Sequence, residues 1–338
     1  MSLGLPHGSY RPAAPHGGTD DYRCFLVDPH LTAAAYVTGL DFVPGNPQIV
    51  HHAVLYRVAP GQVAAAQAQD QASGGRGWTC FGDPGLPPTG TGATGVLDSA
   101  PWLGAWAPGT GEQLFPAGTG VPVAAGSRIV LQVHYNLRQH QGTDDSHVVL
   151  RLAPGTAHLL PLHTQLLVAP VELPCAAGQT GPLCSRDAAL ADLVSRFGVQ
   201  AAFTVAGLQL LCAHGTHLAP TPGPTQSCDR TVRTRTTVVA AAGHMHLLGR
   251  SIRIVLDPGT PRARVLFDRP VWNFDDQRAT VLPQPVTLRP GDTLRLTCTY
   301  DATLRDRLPE LAGLPDRYVL WGAGTTDEMC LGLLLETD

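Results

Sequence analysis

Apolar residues recur at every second position over short stretches of this 338-residue chain, and the stretches end at turn-forming Gly, Pro, Asn or Asp. That period of two marks strands, whose side chains alternate faces. YRCFLVD, YVTGLDFVP, IVHHAVLYRV, SRIVLQVHYNL and HVVLRLA form a first set of candidate strands. LLVAPVELP, TVRTRTTVVAAAGHMHLLG, SIRIVLD, ARVLFD, VTLRPGDTLRLTCTYD and EMCLGLLLE form a second, reached through APGTAHLLPLHT. One segment breaks the alternation: Ser185 to Gly198 (SRDAALADLVSRFG) has helical spacing, with Ser185 as N-cap and Gly198 as stop. LQLLCAHGTHL can extend it, and its His214 and His217 read as surface residues. The pattern predicts an all-β chain of two tandem antiparallel, jelly-roll-like β-sandwiches. Residues 1–19 are expected to be a flexible leader, 20–157 the first domain, and 158–338 the second, with a helical insertion at about 176–228.

Composition agrees with this outline. The 37 Gly and 30 Pro residues suit short, turn-bounded strands. A net charge of −4 gives no basic surface for nucleic acid or an anionic membrane, and no apolar run is long enough to span a bilayer. All the basic residues are Arg, which fits a GC-rich genome. The eight cysteines include no CxxC pair, so they read as disulfides rather than a thiolate zinc site. Disulfides imply an oxidising compartment, secreted or periplasmic, although the first residues lack the charged start and apolar core of an export signal.

Chemistry concentrates at a few strand positions. His51 and His52 lie in IVHHAVLYRV, His134 in VLQVHYNL, His244 and His246 in AAGHMHLLGR, and Met329 in TTDEMCLGLLLE. Alternation points Ile129, Leu131, Val133 and Tyr135 to a core and turns Gln132 and His134 outward, where Gln132 could bond to a site residue or hold water. His244 and His246 share a face, with Met245 on the other. Adjacent His51 and His52 should point apart in a regular strand, so both reach one metal only if the strand twists or ends there. Imidazole suits several transition metals, but a thioether selects copper, above all Cu(I).

These motifs resemble the ascorbate-dependent type II copper monooxygenases, the family of peptidylglycine α-hydroxylating monooxygenase and dopamine β-monooxygenase. The resemblance rests on the HH pair, QVHYN, HMHLLGR, DEMC and PGDTLRLTCTYD (Pro290 to Asp301), in the family's order and from Tyr22 to Leu335. With the Arg-only composition, a bacterial member is expected. The resemblance implies one copper on His51, His52 and His134 that stores an electron. It implies a second, oxygen-handling copper on His244, His246 and Met329, with O2 as co-substrate and ascorbate or another one-electron reductant. It also implies a Cys298–Cys330 bridge. Proximity adds Cys175–Cys184 and Cys212–Cys228, which leaves Cys24–Cys80.

The chain departs from the family in two places. The amidating branch grips a peptide with Arg, Asn and Tyr where this chain has Ala242, Leu331 and Leu333, beside His244 and Met329 by alternation. That implies an apolar pocket and hydroxylation of a small apolar or aromatic substrate. The helical insertion has no counterpart in the family; a lid, a partner surface and simple decoration stay open. Asp327 and Glu328 read as residues that hold the turn before Met329. Three other functions also stay open: a copper carrier or sensor without turnover, peptidylglycine α-hydroxylation with a different substrate grip, and a zinc hydrolase on the first three histidines, which would leave Met329 and the HxH pair unexplained.

Overall fold

The computed structural model describes residues 1–15, 18–87, 102–213 and 220–338, so His214 and His217 lie outside the described residues. The chain forms two compact units, one of residues 1–165 with 335–338 and one of residues 166–334.

The first unit is built of β1 (Ser2–Gly4), β2 (Asp20–Val27), β3 (Ala35–Val43), β4 (Val50–Val58), helix α1 (Val63–Ala72), β5 (Trp78–Thr79), β6 (Trp102–Trp106), β7 (Gln113–Leu114), β8 (Thr119–Val123), β9 (Arg128–Asn136) and β10 (His147–Pro154). Among the described residues, one antiparallel sheet runs β5-β2-β9-β4-β6, and a second runs β1-β10-β3-β8 with β7 against β3. The sheets meet face to face. Phe42 of β3 packs on Trp106 of β6 with ring centroids 5.1 Å apart, and Gly104 of β6 sits where a Cβ would collide with Leu40.

Two expectations need correction here. The expected leader over 1–19 is tied down over its first ten residues: Ser2–Gly4 pairs with β10, Leu3 and Leu5 are buried, and the Tyr10 hydroxyl donates to the buried Asp21 carboxylate at 2.9 Å. Nor does β9 face solvent on its far side, since Gln132 is 1% exposed and His134 0%. Val130, Val54, Tyr56, Val58, Trp78 and the Cys24–Cys80 bridge, with Ala66 of α1, form a satellite core over that face. α1 has no strong amphipathic signature, so alternation in β9 alone cannot show that it is covered.

β11 (Leu160–Ala169) leads into the second unit. There follow β12 (Glu172–Leu173), α2 (Arg186–Phe197), α3 (Val199–Cys212), β13 (Thr225–Thr231), β14 (Thr236–His244), β15 (Gly249–Leu256), β16 (Arg264–Arg269), β17 (Thr280–Leu288), β18 (Thr293–Tyr300), β19 (Val319–Leu320) and β20 (Cys330–Thr337). β13-β18-β15-β16 make an antiparallel sheet, β14 pairs with β17, and β12 with β19. The run read as one strand from Thr231 to Gly249 breaks up: Thr231 ends β13, β14 covers Thr236–His244, and Gly249 opens β15. The insertion holds two helices instead of one: Gly198, at φ 80°, separates α2 from α3, a left-handed conformation that favours Gly. Ala189, Leu193 and Val205 of these helices pack with Tyr318 and Leu320. The bridges Cys175–Cys184 and Cys212–Cys228 close the insertion at either end.

The main core of this unit gathers Val238, Ala241, Met245, Ile252, Ile254, Leu294, Leu296, Cys298, Cys330 and Leu334. Gly243 of β14 fits against Ile252 and Phe267, and Gly332 of β20 against Ile254 and Leu296, so both strands lie close on the β15–β18 sheet. Cys298 and Cys330 are bonded across a sequence separation of 32 residues. A Cys298→Ser variant should lose about 3–4 kcal/mol of unfolding free energy by the loop-entropy account. A denaturant titration reads this directly; an unchanged midpoint would show that the strands hold without the bridge.

Candidate metal centres

The first centre arises from an irregularity in β4. Its register with β9 places Val50 opposite Tyr135 and His52 opposite His134, so two steps along β4 match one along β9 and His51 is the extra residue of a β-bulge. The bulge lets neighbouring side chains converge where a regular strand would turn them apart. His51 Nδ1 lies 3.1 Å from His52 Nδ1, which lies 3.4 Å from His134 Nδ1. One ring nitrogen from each of the three lies within 4.8 Å of the others, a spacing that suits a single ion.

Neighbours fix the rings. His134 Nε2 donates to Asp20 Oδ1 at 2.8 Å. A carboxylate accepts only, so the proton sits on Nε2 and the Nδ1 lone pair faces the other histidines. Tyr22 stacks on the same ring, centroids 3.9 Å apart and planes 12° from parallel. Gln132 points elsewhere: its amide donates to Cys80 Sγ at 3.4 Å, inside the satellite core.

In the second unit, β14 delivers His244 at its end and His246 just beyond. Their rings lie 5.1 Å apart and nearly perpendicular. The two outer nitrogens are engaged: His244 Nδ1 bonds Gln277 Oε1 at 2.7 Å, and His246 Nδ1 donates to the Asp327 carbonyl at 3.0 Å. Both Nε2 atoms are thereby set as lone-pair donors. Trp272 Nε1 donates to the His246 carbonyl at 3.2 Å, so the loop carrying Trp272 and Gln277 steadies both histidines.

Glu328 joins this pair to Met329. Its fully buried carboxylate accepts from the backbone N–H groups of His246 at 2.9 Å, Leu248 at 2.6 Å and Met329 at 3.3 Å. Burial pushes its pKa up to about 8, against the pull of these donors and Arg305. The Tyr300 hydroxyl donates to the Met329 carbonyl at 3.1 Å. Asp327 and Glu328 therefore tie the turn before Met329 to the His246 ring and backbone. Cys330 and Leu334 lie in the core, which leaves Met329, Leu331 and Leu333 on the opposite face of β20. Ala242 shares the His244 face of β14. Ala242 and Leu331 are buried and Leu333 half-buried.

The residues missed by the sequence reading are the partners: Asp20, Tyr22, Trp272 and Gln277. Alternation along DDYRCF puts Asp20 and Tyr22 on one face, but only the β2–β9 register, with Tyr22 opposite His134, brings them to the site.

The fold and these imidazole groups define the class first: a β-sandwich protein carrying histidine clusters suited to transition-metal ligation. Residues 224–335 match the family model of the copper type II ascorbate-dependent monooxygenase C-terminal domain. A stretch of 88 residues is 32% identical to mouse DBH-like monooxygenase protein 2 and covers 26% of this chain but only 13% of that relative. Residues 224–335 are thus similar to the C-terminal domain of the copper type II ascorbate-dependent monooxygenases, and the chain spans only a small part of the curated relative it matches. Among solved structures, an allantoicase aligns over 94% of this chain and 81% of its own at 11% identity and a TM-score of 0.20. A Paenibacillus xanthan lyase aligns over 96% and 24% at 13% identity and a TM-score of 0.19. At such scores neither carries an argument.

Proposed function

We propose that this chain is a copper monooxygenase with two metal centres, which hydroxylates a C–H bond of a small apolar or aromatic molecule using O2 and a one-electron reductant such as ascorbate. The single observation that carries it is the pinning of the imidazoles. In His134, His244 and His246 one ring nitrogen is held by a neighbour, and the other is left as a lone pair. The donor sets also fit the metal. Three imidazoles suit an ion that changes oxidation state, and two imidazoles with a thioether suit Cu(I). Copper bound in these sets would supply electron transfer and O2 activation.

The chain's own residues do the rest. Asp20 keeps the His134 proton on Nε2, and Gln277 and the Asp327 carbonyl do the same at Nδ1 of the second pair. Glu328 holds Met329 in register with His246. Leu331, Leu333 and Ala242 line the substrate side with hydrocarbon. The four disulfides favour a secreted or periplasmic setting.

Metal analysis with an ascorbate-driven oxygen assay tests this reading. Two coppers per chain with turnover support it. One copper and no turnover would mark a carrier, and zinc a hydrolase. The pocket gives a substrate prediction. A peptide carboxylate entering it would shed water without gaining a cation, whereas an aryl group gains from apolar burial. We expect phenyl-bearing amines or alkyl aromatics to exceed glycine-extended peptides in kcat/KM by on the order of a hundredfold. Efficient conversion of such a peptide would overturn the pocket assignment.

A further inference from the structure

Helix α2 lies outside residues 224–335, yet it reaches the turn before Met329. Arg196 Nη2 and Nη1 donate to Asp327 Oδ1 and Oδ2 at 2.7 and 3.0 Å, a two-pronged pair on a buried carboxylate. The guanidinium is aimed by Asp192, which accepts from Arg196 Nε at 2.9 Å and also from Arg317. Backbone packing points the same way independently. A Cβ at Gly324 would fall 2.9 Å from both Arg196 and Phe197, and one at Gly322 would fall 2.9 Å from Leu193. These two glycines let the turn lie directly against α2. On the turn itself, Gly324 N–H donates to Asp327 Oδ2 at 3.2 Å, and Arg305 Nη2 donates to the Thr326 carbonyl at 2.9 Å.

We propose that the helical insertion is a brace for the second metal centre, with Arg196 as its positioning residue: the guanidinium fork fixes the turn whose Asp327 carbonyl orients His246 and whose next residues seat and carry Met329. The proposal rests on the copper reading above for its purpose, but not for its mechanics. A two-pronged pair sets both position and angle, which a single charge contact does not. Without it, Asp327 would keep the Gly324 N–H and lose its cation. The carbonyl of the same residue, and with it the His246 ring, would then be free to drift.

The test compares the full chain with Arg196→Met and Arg196→Lys. Metal-free protein is followed by hydrogen exchange, and Cu(I)-loaded protein by X-ray absorption at the copper edge. In Arg196→Met, amides at residues 246–248 and 322–329 should exchange at least about tenfold faster, while β15 and β18 keep wild-type protection. The copper–sulfur signal should weaken or vanish. Arg196→Lys should fall between, because it restores charge but not the fork. Uniform acceleration through β15 and β18 would mean a merely structural role, and wild-type exchange at the turn would remove the role altogether; either result overturns the proposal. If Arg196→Met does not fold, Asp192→Asn takes its place. It leaves the Asp327 pair but loosens its aim, so a smaller acceleration confined to the same residues is expected, and none would overturn the proposal. A wild-type protein without a copper–sulfur signal would sink the assignment of Met329 as ligand, while the exchange experiment would still decide the brace.

Discussion

His134→Ala should hold one copper in place of the two proposed for the wild-type chain, and its multiple-turnover rate with ascorbate should fall by more than about a hundredfold. His134 stands opposite His52 on the neighbouring strand, so without it His51 and His52 are left with no third imidazole. The loss reaches further. Asp20 would lose the N–H that it accepts at 2.8 Å, and Tyr22 the ring on which it stacks. Asp20 would keep the Thr19 hydroxyl at 3.0 Å, but losing a hydrogen bond to a largely buried carboxylate costs about 1–3 kcal/mol, so the variant should also melt earlier. Second-centre copper should stay, because His244, His246 and Met329 belong to the other unit. Copper per chain and steady-state oxygen uptake are the measurements. Wild-type copper content with wild-type turnover would remove His134 from the ligand set.

Met329→Ile should abolish hydroxylation to below about one hundredth of the wild-type rate, with the first centre still loaded. Isoleucine keeps a comparable apolar volume, so the change removes the thioether with little effect on packing. The backbone seat of residue 329 does not depend on its side chain. Its N–H still meets Glu328 and its carbonyl still receives the Tyr300 hydroxyl. A loss of activity would therefore report the sulfur and not the fold. Cu(I) affinity at the second centre and product formation check it; full turnover in the variant would show that sulfur is not a ligand.

The strands around His244 and Met329 in the second unit show how much was legible in the sequence. Period-two alternation put Met245 in the core, opposite His244 and His246, and grouped Leu331 and Leu333 with Met329, because in these strands the side-chain period alone decides the direction. The first centre was less readable. The convergence of His51 and His52 depends on one unpaired backbone step, and no residue type at that position announces a bulge. Gln132 and His134 appeared outward because β9 alternates cleanly, yet the Cys24–Cys80 bridge meets Gln132, and Tyr22, Asp20 and the other two histidines surround His134. Asp20 and Gln277 escaped notice for a related reason. Each bonds a histidine that is distant in sequence, and strand register or loop closure, not local pattern, brings them together. The insertion was visible as a change of period, but its link to Asp327 joins residues 131 apart.

The bulge on β4 has a mechanical consequence. His51 and His52 ride on one piece of backbone, and His134 belongs to the strand directly hydrogen-bonded to it. An ion shared by all three would act as a rivet through the central ladder of the first sheet, joining β4 to β9. β9 is also the strand that carries β2 on its other side, and β2 is fastened in turn by the Cys24–Cys80 bridge. Because only the folded ladder offers all three nitrogens together, binding would favour the folded sheet by mass action. Slippage between β4 and β9 would release the ion, so retention of metal at this centre reads out the alignment of two strands.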